Sequence, residues 1–544
     1  MTTDLAARIR ARLEQDAPNA LVFFDRALNQ RRYSGHQVLN AAQDTQQRLE
    51  AALGPGPHVL LSVIRFGEEF VFPFLAGILS GATMIAVAAP RRGDRDGRLA
   101  HMIELCRPNA ILCLRAQIPL LEEILGPDRQ VPLLALDDAR PQPDRTVPAR
   151  APFHSSSVPI IQFTSGTSRL PRAIALDVAP LLDNMEMVSR AFSLAPGNVS
   201  LNWAPHYHDL GLIVGLVVPL WNGAQTCLMD AFEMIRDPAS WLRAISACRA
   251  EVAGGPPFAF KECISRSDPA DLLGADLSSW RVAYCGAEPV PRGLFAAFHD
   301  RFAAYGLSRD AFFHGYGMAE CTVFAAGSVP LDVDLPPEAM PPEARMFEPI
   351  ALAPHELDCL RITDPESLEK MPEGHQGEIW ISGAFVQNGY LADPEGSAES
   401  FGHPAEGRVW LRSGDLGAIS AQRLYVTGRL KDMIIGNGSN FSAAEIEWHA
   451  AETDPRLNPL AAAVFIPGGG ALDRVALWIE QRDQDISDGP EVIDRIRRRI
   501  RTKFGLDLQD VRVLPCRSLP RTTSGKIQRQ KLRGLSAELA MPVM

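Results

Sequence analysis

Five short stretches, far apart in the chain, carry side chains that could do chemistry together, though each alone also has an ordinary structural reading. The first is Thr164-Ser165-Gly166-Thr167-Ser168-Arg169-Leu170-Pro171-Arg172, between the apolar runs Val158–Phe163 and Ala173–Leu176. Small hydroxyls around one glycine let backbone N–H groups converge on an anion without a bulky Cβ in the way, and Arg169 and Arg172 add positive charge. A Ser/Thr-rich turn between two strands has the same composition, and one glycine does not separate the two readings. Tyr316-Gly317-Met318-Ala319-Glu320 combines a flat ring, a close-approach glycine and a carboxylate. Ser413-Gly414-Asp415-Leu416 reads as a carboxylate on a tight turn. Gly428-Arg429-Leu430-Lys431-Asp432 sets a guanidinium at a change of pattern. Arg521-Thr522-Thr523-Ser524-Gly525-Lys526-Ile527 carries one lysine on a glycine-containing loop.

Groups this far apart meet only if the fold gathers them. Apolar runs at His58–Ile64, Thr83–Ala88, Ala110–Leu114 and Val131–Ala135 alternate with helical patterns at His36–Ala52, Glu68–Ser80, Arg95–Cys106 and Ile118–Leu125, which predicts parallel strands with helical crossovers. The alternation resumes after a Pro-rich link, 141–152, with strands at Val199–Ala204, Trp280–Cys285 and Ala311–His314. Polar or Gly-rich turns follow these strands, and ligands of open α/β sheets collect at the carboxyl ends of strands. Strands at His355–Ile362, Glu378–Ser382, Arg408–Leu411 and Arg423–Val426 suggest a smaller β unit. A small α+β domain is expected from about residue 430 to the end.

The composition is that of a soluble enzyme, with 22% charged and 46% hydrophobic residues. A net charge of −11 argues against a basic nucleic-acid-binding surface. The nine cysteines show no ligand-like spacing, so neither zinc nor a disulfide framework is predicted, and reduced thiols fit a cytoplasmic protein. Residues 1–14 show no signal peptide. The uncharged stretches 70–90 and 210–229 are long enough to span a bilayer, but Gly81 in one and Pro219, Asn222 and Gly223 in the other split them into buried elements.

In this order the five stretches resemble the adenylate-forming superfamily of acyl-CoA synthetases, adenylation domains and luciferase-like enzymes, over about residues 20 to 535. Within it the chain is similar to the fatty acyl-AMP ligases. Trp203-Ala204-Pro205-His206-Tyr207-His208-Asp209-Leu210-Gly211-Leu212 is close to that group's pattern, Ala319 stands where CoA ligases usually have threonine, and Arg169 stands where most relatives have glycine.

The resemblance implies an α/β fold: a large N-terminal domain, 1–429, of two doubly wound subdomains and a small β subdomain, then a mobile C-terminal domain, 430–544, hinged at Lys431. It implies that Thr164, Ser165, Gly166, Thr167, Ser168 and Arg172 hold ATP phosphates. Gly286, Ala287, Glu288, Tyr316, Gly317, Met318 and Ala319 would line the adenine, Asp415 the ribose, and Arg429 ribose or phosphate. Glu320 would hold Mg²⁺, and Lys526 would bridge substrate carboxylate and α-phosphate with His208 beside the carboxylate path. Tyr207, Asp209, Gly255, Pro256 and Phe258 would form the acid pocket. The expected reaction is activation of a carboxylic acid, then transfer to an acyl carrier protein in trans. Acyl-CoA synthetase, stand-alone amino-acid or aryl-acid activation, and a silent adenylate binder are the alternatives. The chain departs from the superfamily pattern at Arg172-Ala173, where relatives commonly carry Lys-Gly, at Ser439–Ala443, and in a short excursion near 330–350.

Overall fold

The uncharged run 70–90 does not continue as one helix. In the computed structural model the helix Glu68–Ser80 ends at Gly81, whose left-handed backbone (φ 77°) returns its N–H to the carbonyls of Gly77 and Ile78. The strand Thr83–Ala86 follows. A Cβ on Gly77 would lie 2.0 Å from the Met84 sulfur, so only glycine lets the helix lie this close to its own strand. The run 210–229 breaks in the same way, into a wide π-type turn Leu210–Val217, a short helix Val218–Asn222 and a strand Gln225–Leu228. Among the described residues no helix is long and apolar enough to cross a membrane. The described residues are 4–15, 17–91, 97–126, 130–137, 157–164, 170–329, 346–436, 439–466, 475–482, 488–516, 518–521, 527–529, 531–533 and 535.

Two doubly wound sheets dominate this α/β fold. One has six strands in the order Leu133–Ala135, Ala110–Cys113, Val59–Ser62, Thr83–Ala86, Ile160–Phe163, Ala173–Leu176, parallel except for the last pair. The other has eight, in the order Ala326–Ser328, Phe312–Tyr316, Val282–Cys285, Val252–Gly255, Val199–Asn202, Gln225–Leu228, Leu21–Phe24, Gln30–Tyr33, antiparallel only at its two edges. Helices pack on these sheets, which explains the near-continuous apolar strands. Ser34 and Gln37 close a capping box on the helix Gly35–Leu53. The elements Leu5–Glu14, Leu21–Phe24 and Gln30–Tyr33 extend the fold toward the N-terminus beyond the sequence reading.

A third sheet is antiparallel: Ile350–Ala351, Arg423–Arg429, Arg408–Ser420, Gly377–Ile381 and Leu360–Thr363, with His403–Ala405 on the end of the long strand. Two sequence-based expectations change here. His355–Ile362 is not one strand, because Pro354 starts a helical turn, Pro354–Leu357, before the strand begins at Leu360. Ser413–Leu416 is not a tight turn: it lies inside the 13-residue strand Arg408–Ser420, where the pairing slips between Trp380↔Arg412 and Glu378↔Leu416. Gly414 takes φ 70° at this bulge, and its N–H donates to the buried Glu378 carboxylate at 3.1 Å. The bulge turns Asp415 inward.

Past Asp432 the chain builds its own sheet of Leu457–Phe465, Val475–Gln481 and Leu508–Leu514, backed by the helices Ala443–Ala451 and Gly489–Phe504 around a separate apolar core.

Candidate active site

The carboxyl ends of the central strands open into one cleft of about 2050 Å³. Thr164 follows the strand Ile160–Phe163. Tyr207, His208 and Asp209 follow Val199–Asn202, Pro256 and Phe258 follow Val252–Gly255, and Gly286, Ala287 and Glu288 follow Val282–Cys285. All of them line the cleft, as do Tyr316, Gly317, Met318, Ala319 and Glu320 at the end of Phe312–Tyr316. Asp415 and Arg429 reach it from the antiparallel sheet, and Lys431 from the connection that follows.

Ser165, Gly166, Thr167, Ser168 and Lys526 lie outside the described residues; the ends of both loops are inside them. The Thr164 N–H donates to the Arg172 carbonyl at 2.9 Å, so the first loop leaves and re-enters between hydrogen-bonded strands. Arg521 and Ile527 pair across the base of the second loop, and both line the cleft.

Tyr316 is buried, and its hydroxyl donates to Asp415 Oδ2 at 3.0 Å. The Arg429 guanidinium meets Asp415 Oδ1 at 3.1 Å. Burial, with Asp415 next to it, holds the Tyr316 phenol well above its ordinary value, so it stays a donor. Asp415 raises Arg429 further. The result is a flat ring, a carboxylate and a guanidinium fixed in one row. Ala287, also on the cleft, takes φ 68°, a backbone conformation L-residues rarely adopt.

Glu320 is a buried carboxylate whose Oε1 accepts from the Tyr390 hydroxyl at 2.7 Å. Burial raises it above the ordinary carboxylate range, while Tyr390 opposes that shift. The next residues form a classic γ-turn. Thr322 takes φ 70° and ψ −64°, and the Val323 N–H donates to the Cys321 carbonyl at 2.9 Å. Strain of this kind at a β-branched residue persists only where neighbours over-determine it. Gln387 is that neighbour: its side chain donates to Thr322 Oγ1 at 2.8 Å and its N–H to the Glu320 carbonyl at 2.9 Å. Gln387 and Tyr390, beside Glu320, and Asp393, paired with Arg172, are functional candidates the sequence reading missed. Only their folded positions mark them.

Apolar side chains also line the cleft: Phe192, Trp203, Val214, Phe258, Phe313 and Phe324. Gly255, expected in the pocket, does not line it. A Cβ there would lie 2.5 Å from the Trp203 ring, so Gly255 makes room for the indole. The neighbouring histidines divide. His208 lines the cleft, whereas His206 is buried against Phe70, 3.9 Å between ring centroids, where burial pulls it down to about 3 and keeps it neutral.

The C-terminal part closes over the cleft. Lys261 Nζ lies 4.9 Å from the Trp448 ring centroid, buried and, among the described residues, without a hydrogen-bond partner. Burial, helped by Arg482 and opposed by Glu288, pulls this ammonium down to about 8. Glu447, Arg456 and Arg529 line the same cleft.

Such a row of ring, carboxylate and guanidinium, sharing one cleft with apolar side chains, suits a nucleotide joined to an apolar acid. Comparisons with known proteins agree. The chain matches the model of the AMP-binding enzymes over residues 10–391. It is 32% identical over 409 residues to the medium-chain-fatty-acid–[acyl-carrier-protein] ligase TtuA of Teredinibacter turnerae, a match that covers 71% of this chain and 64% of that protein's length. It is 28% identical over 534 residues to the long-chain-fatty-acid–AMP ligase FadD23 of Mycobacterium tuberculosis, covering 91% and 88%. A structure from work on fatty acyl-adenylate ligases of E. coli and L. pneumophila superposes with a TM-score of 0.83 at 26% identity, covering 99% of each chain. Strand-end geometry and sequence match thus converge, and the chain belongs to the family of AMP-binding enzymes.

Proposed function

We propose that the chain is a fatty acyl-AMP ligase: it joins a fatty acid to the AMP part of ATP, releases pyrophosphate, and passes the acyl group to the phosphopantetheine thiol of a carrier protein. The observation that carries this reading is one cleft lined both by the Tyr316–Asp415–Arg429 row and by the apolar side chains of Phe192, Trp203 and Phe258. Named relatives act on medium- and long-chain fatty acids, and one is named for an acyl carrier protein.

Two anions must meet for this reaction, so positioning and cationic screening carry most of the catalysis. Tyr316 stacks on the adenine, Asp415 accepts from the ribose hydroxyls, and Arg429 contacts the ribose or a phosphate. Thr164 and the hydroxyls after it hold the β- and γ-phosphates, and Lys526 meets the carboxylate and α-phosphate. Glu320 is the residue that fits a magnesium ion. It is a hard oxygen donor whose burial raises its pKa, and a magnesium ion held there would take its remaining ligands from phosphate oxygens and water. The ion supplies charge neutralisation on the phosphates. Residues 1–429 and 430–544 act as two domains that turn about Lys431 between adenylation and transfer, in the cytoplasm.

A panel of fatty, aryl and amino acids scored by released pyrophosphate tests the acid, and loading of a phosphopantetheinyl carrier against CoA tests the acceptor. Fatty acids and the carrier are the expected best pair. Ready acyl-CoA formation with no carrier loaded would contradict the acceptor.

A further inference from the structure

Arg172 stands where a phosphate-loop cation is expected, yet its guanidinium is already engaged. Its Nε lies 2.9 Å from Asp393 Oδ2, and its Cζ lies 4.8 Å from the centroid of the Tyr390 ring. That ring is the one whose hydroxyl holds Glu320. The segment that carries Tyr390 is stitched on both sides. The Leu391 N–H donates to the Ala173 carbonyl at 2.8 Å, and the Gln387 side chain accepts from the Asp177 N–H at 2.9 Å while its N–H donates to the Glu320 carbonyl. Gly396 leaves the room: a Cβ there would fall 2.3 Å from Asp393 Oδ2 and 2.7 Å from Arg172 Nη2.

We propose that Arg172 is a positioning residue, not a phosphate ligand: paired with Asp393 it sets the plane of Tyr390, and Tyr390 holds the Glu320 carboxylate toward the cleft. A lysine cannot do this. Its compact ammonium pairs with Asp393, but it has no flat face to lay on the tyrosine ring. The inference deepens the functional reading above and rests on Glu320 as the magnesium carboxylate. Groups that orient a metal ligand typically change metal affinity or activity about 10- to 100-fold when lost.

The test uses the full-length protein and calorimetric binding of a non-hydrolysable ATP analogue, titrated without magnesium and at rising magnesium. Tyr390→Phe, Asp393→Asn, Arg172→Met and Arg172→Lys are compared with the unaltered chain. Each is expected to raise the magnesium needed for half-maximal tightening by about 10-fold or more, with magnesium-free affinity within about twofold. The Arg172→Met/Tyr390→Phe double variant should be no worse than its worse parent, as members of one chain of contacts are not additive. A phosphate ligand would behave oppositely: Arg172→Met would lose magnesium-free binding, Arg172→Lys would restore it, and Asp393→Asn, by releasing the guanidinium, would tighten it. That pattern overturns the proposal, as does an unchanged magnesium requirement in Tyr390→Phe with a native melting curve. Failure of the unaltered chain to bind the analogue at all would instead count against the functional reading.

Discussion

Asp415 and Arg429 are paired residues on neighbouring antiparallel strands, with 3.1 Å between carboxylate and guanidinium. Arg429 is the last residue of its strand, and Leu430–Asp432 follows at once as a single helical turn. The carboxylate read as the ribose acceptor is therefore tied to the point where the chain leaves for its C-terminal part. On the far side Asp432 receives Arg529 at 3.2 Å, and Arg529 also grips the buried Glu447. From the Tyr316–Asp415–Arg429 row, the single turn Leu430–Asp432 and two ion pairs, Asp432–Arg529 and Arg529–Glu447, lead into the C-terminal part.

Asp415→Asn should raise the KM for ATP about 10- to 100-fold, the loss of one or two hydrogen bonds to a charged acceptor. The KM for the acid should stay within about twofold. Steady-state ATP–pyrophosphate exchange checks both. An effect on the acid alone would remove Asp415 from the ribose site.

Lys526→Ala should slow adenylation by roughly 10²–10³, as expected for one preorganised donor at developing charge. Pre-steady-state formation of the acyl-adenylate reads this. Wild-type rates in the variant would leave the loop between Arg521 and Ile527 without a catalytic role.

Lys261 gives a stability prediction with a sign. Its ammonium is lowered from the ordinary lysine value to about 8 in the folded, closed arrangement, mainly by burial. Below pH 8 it is protonated in both folded and unfolded chains, and the full burial penalty is felt. Between pH 8 and about 10.5 the folded chain holds fewer protons, so the penalty fades as pH rises. Lys261→Met keeps the packing under Trp448 without the charge, and should stabilise the protein by on the order of 1–3 kcal/mol at pH 7. That gain should shrink toward pH 10. Melting curves at the two pH values measure it, and a gain that grows with pH would contradict the reading.

Gly255→Ala should push the Trp203 indole into the cleft, since a Cβ there meets the ring at 2.5 Å. Overpacking of this kind costs about 1–3 kcal/mol. The KM for long acyl chains should rise more than that for short ones, with the KM for ATP unchanged. Equal effects on all chain lengths would place Trp203 away from the acyl path.

The sequence reveals the strands and the loops at their carboxyl ends because apolar runs and glycine punctuation are local signals. Helices such as Glu68–Ser80 and Ile118–Leu125 fall where periodicity predicts. Asp415 was legible as a candidate but not its setting: the bulge that turns it inward depends on Glu378, a partner on another strand. Tyr390, Gln387 and Asp393 were invisible because their meaning lies in contacts with Glu320, Thr322 and Arg172 across long stretches of chain. Gly255 misled for the same reason. Its neighbour in space, Trp203, was not its neighbour in sequence.

ATP–pyrophosphate exchange by the full-length protein, with and without a fatty acid, tests the central claim most directly. Exchange that requires the acid, accompanied by acyl-AMP on the enzyme, is the predicted result. Tight ATP binding with no exchange for any fatty, aryl or amino acid would contradict it.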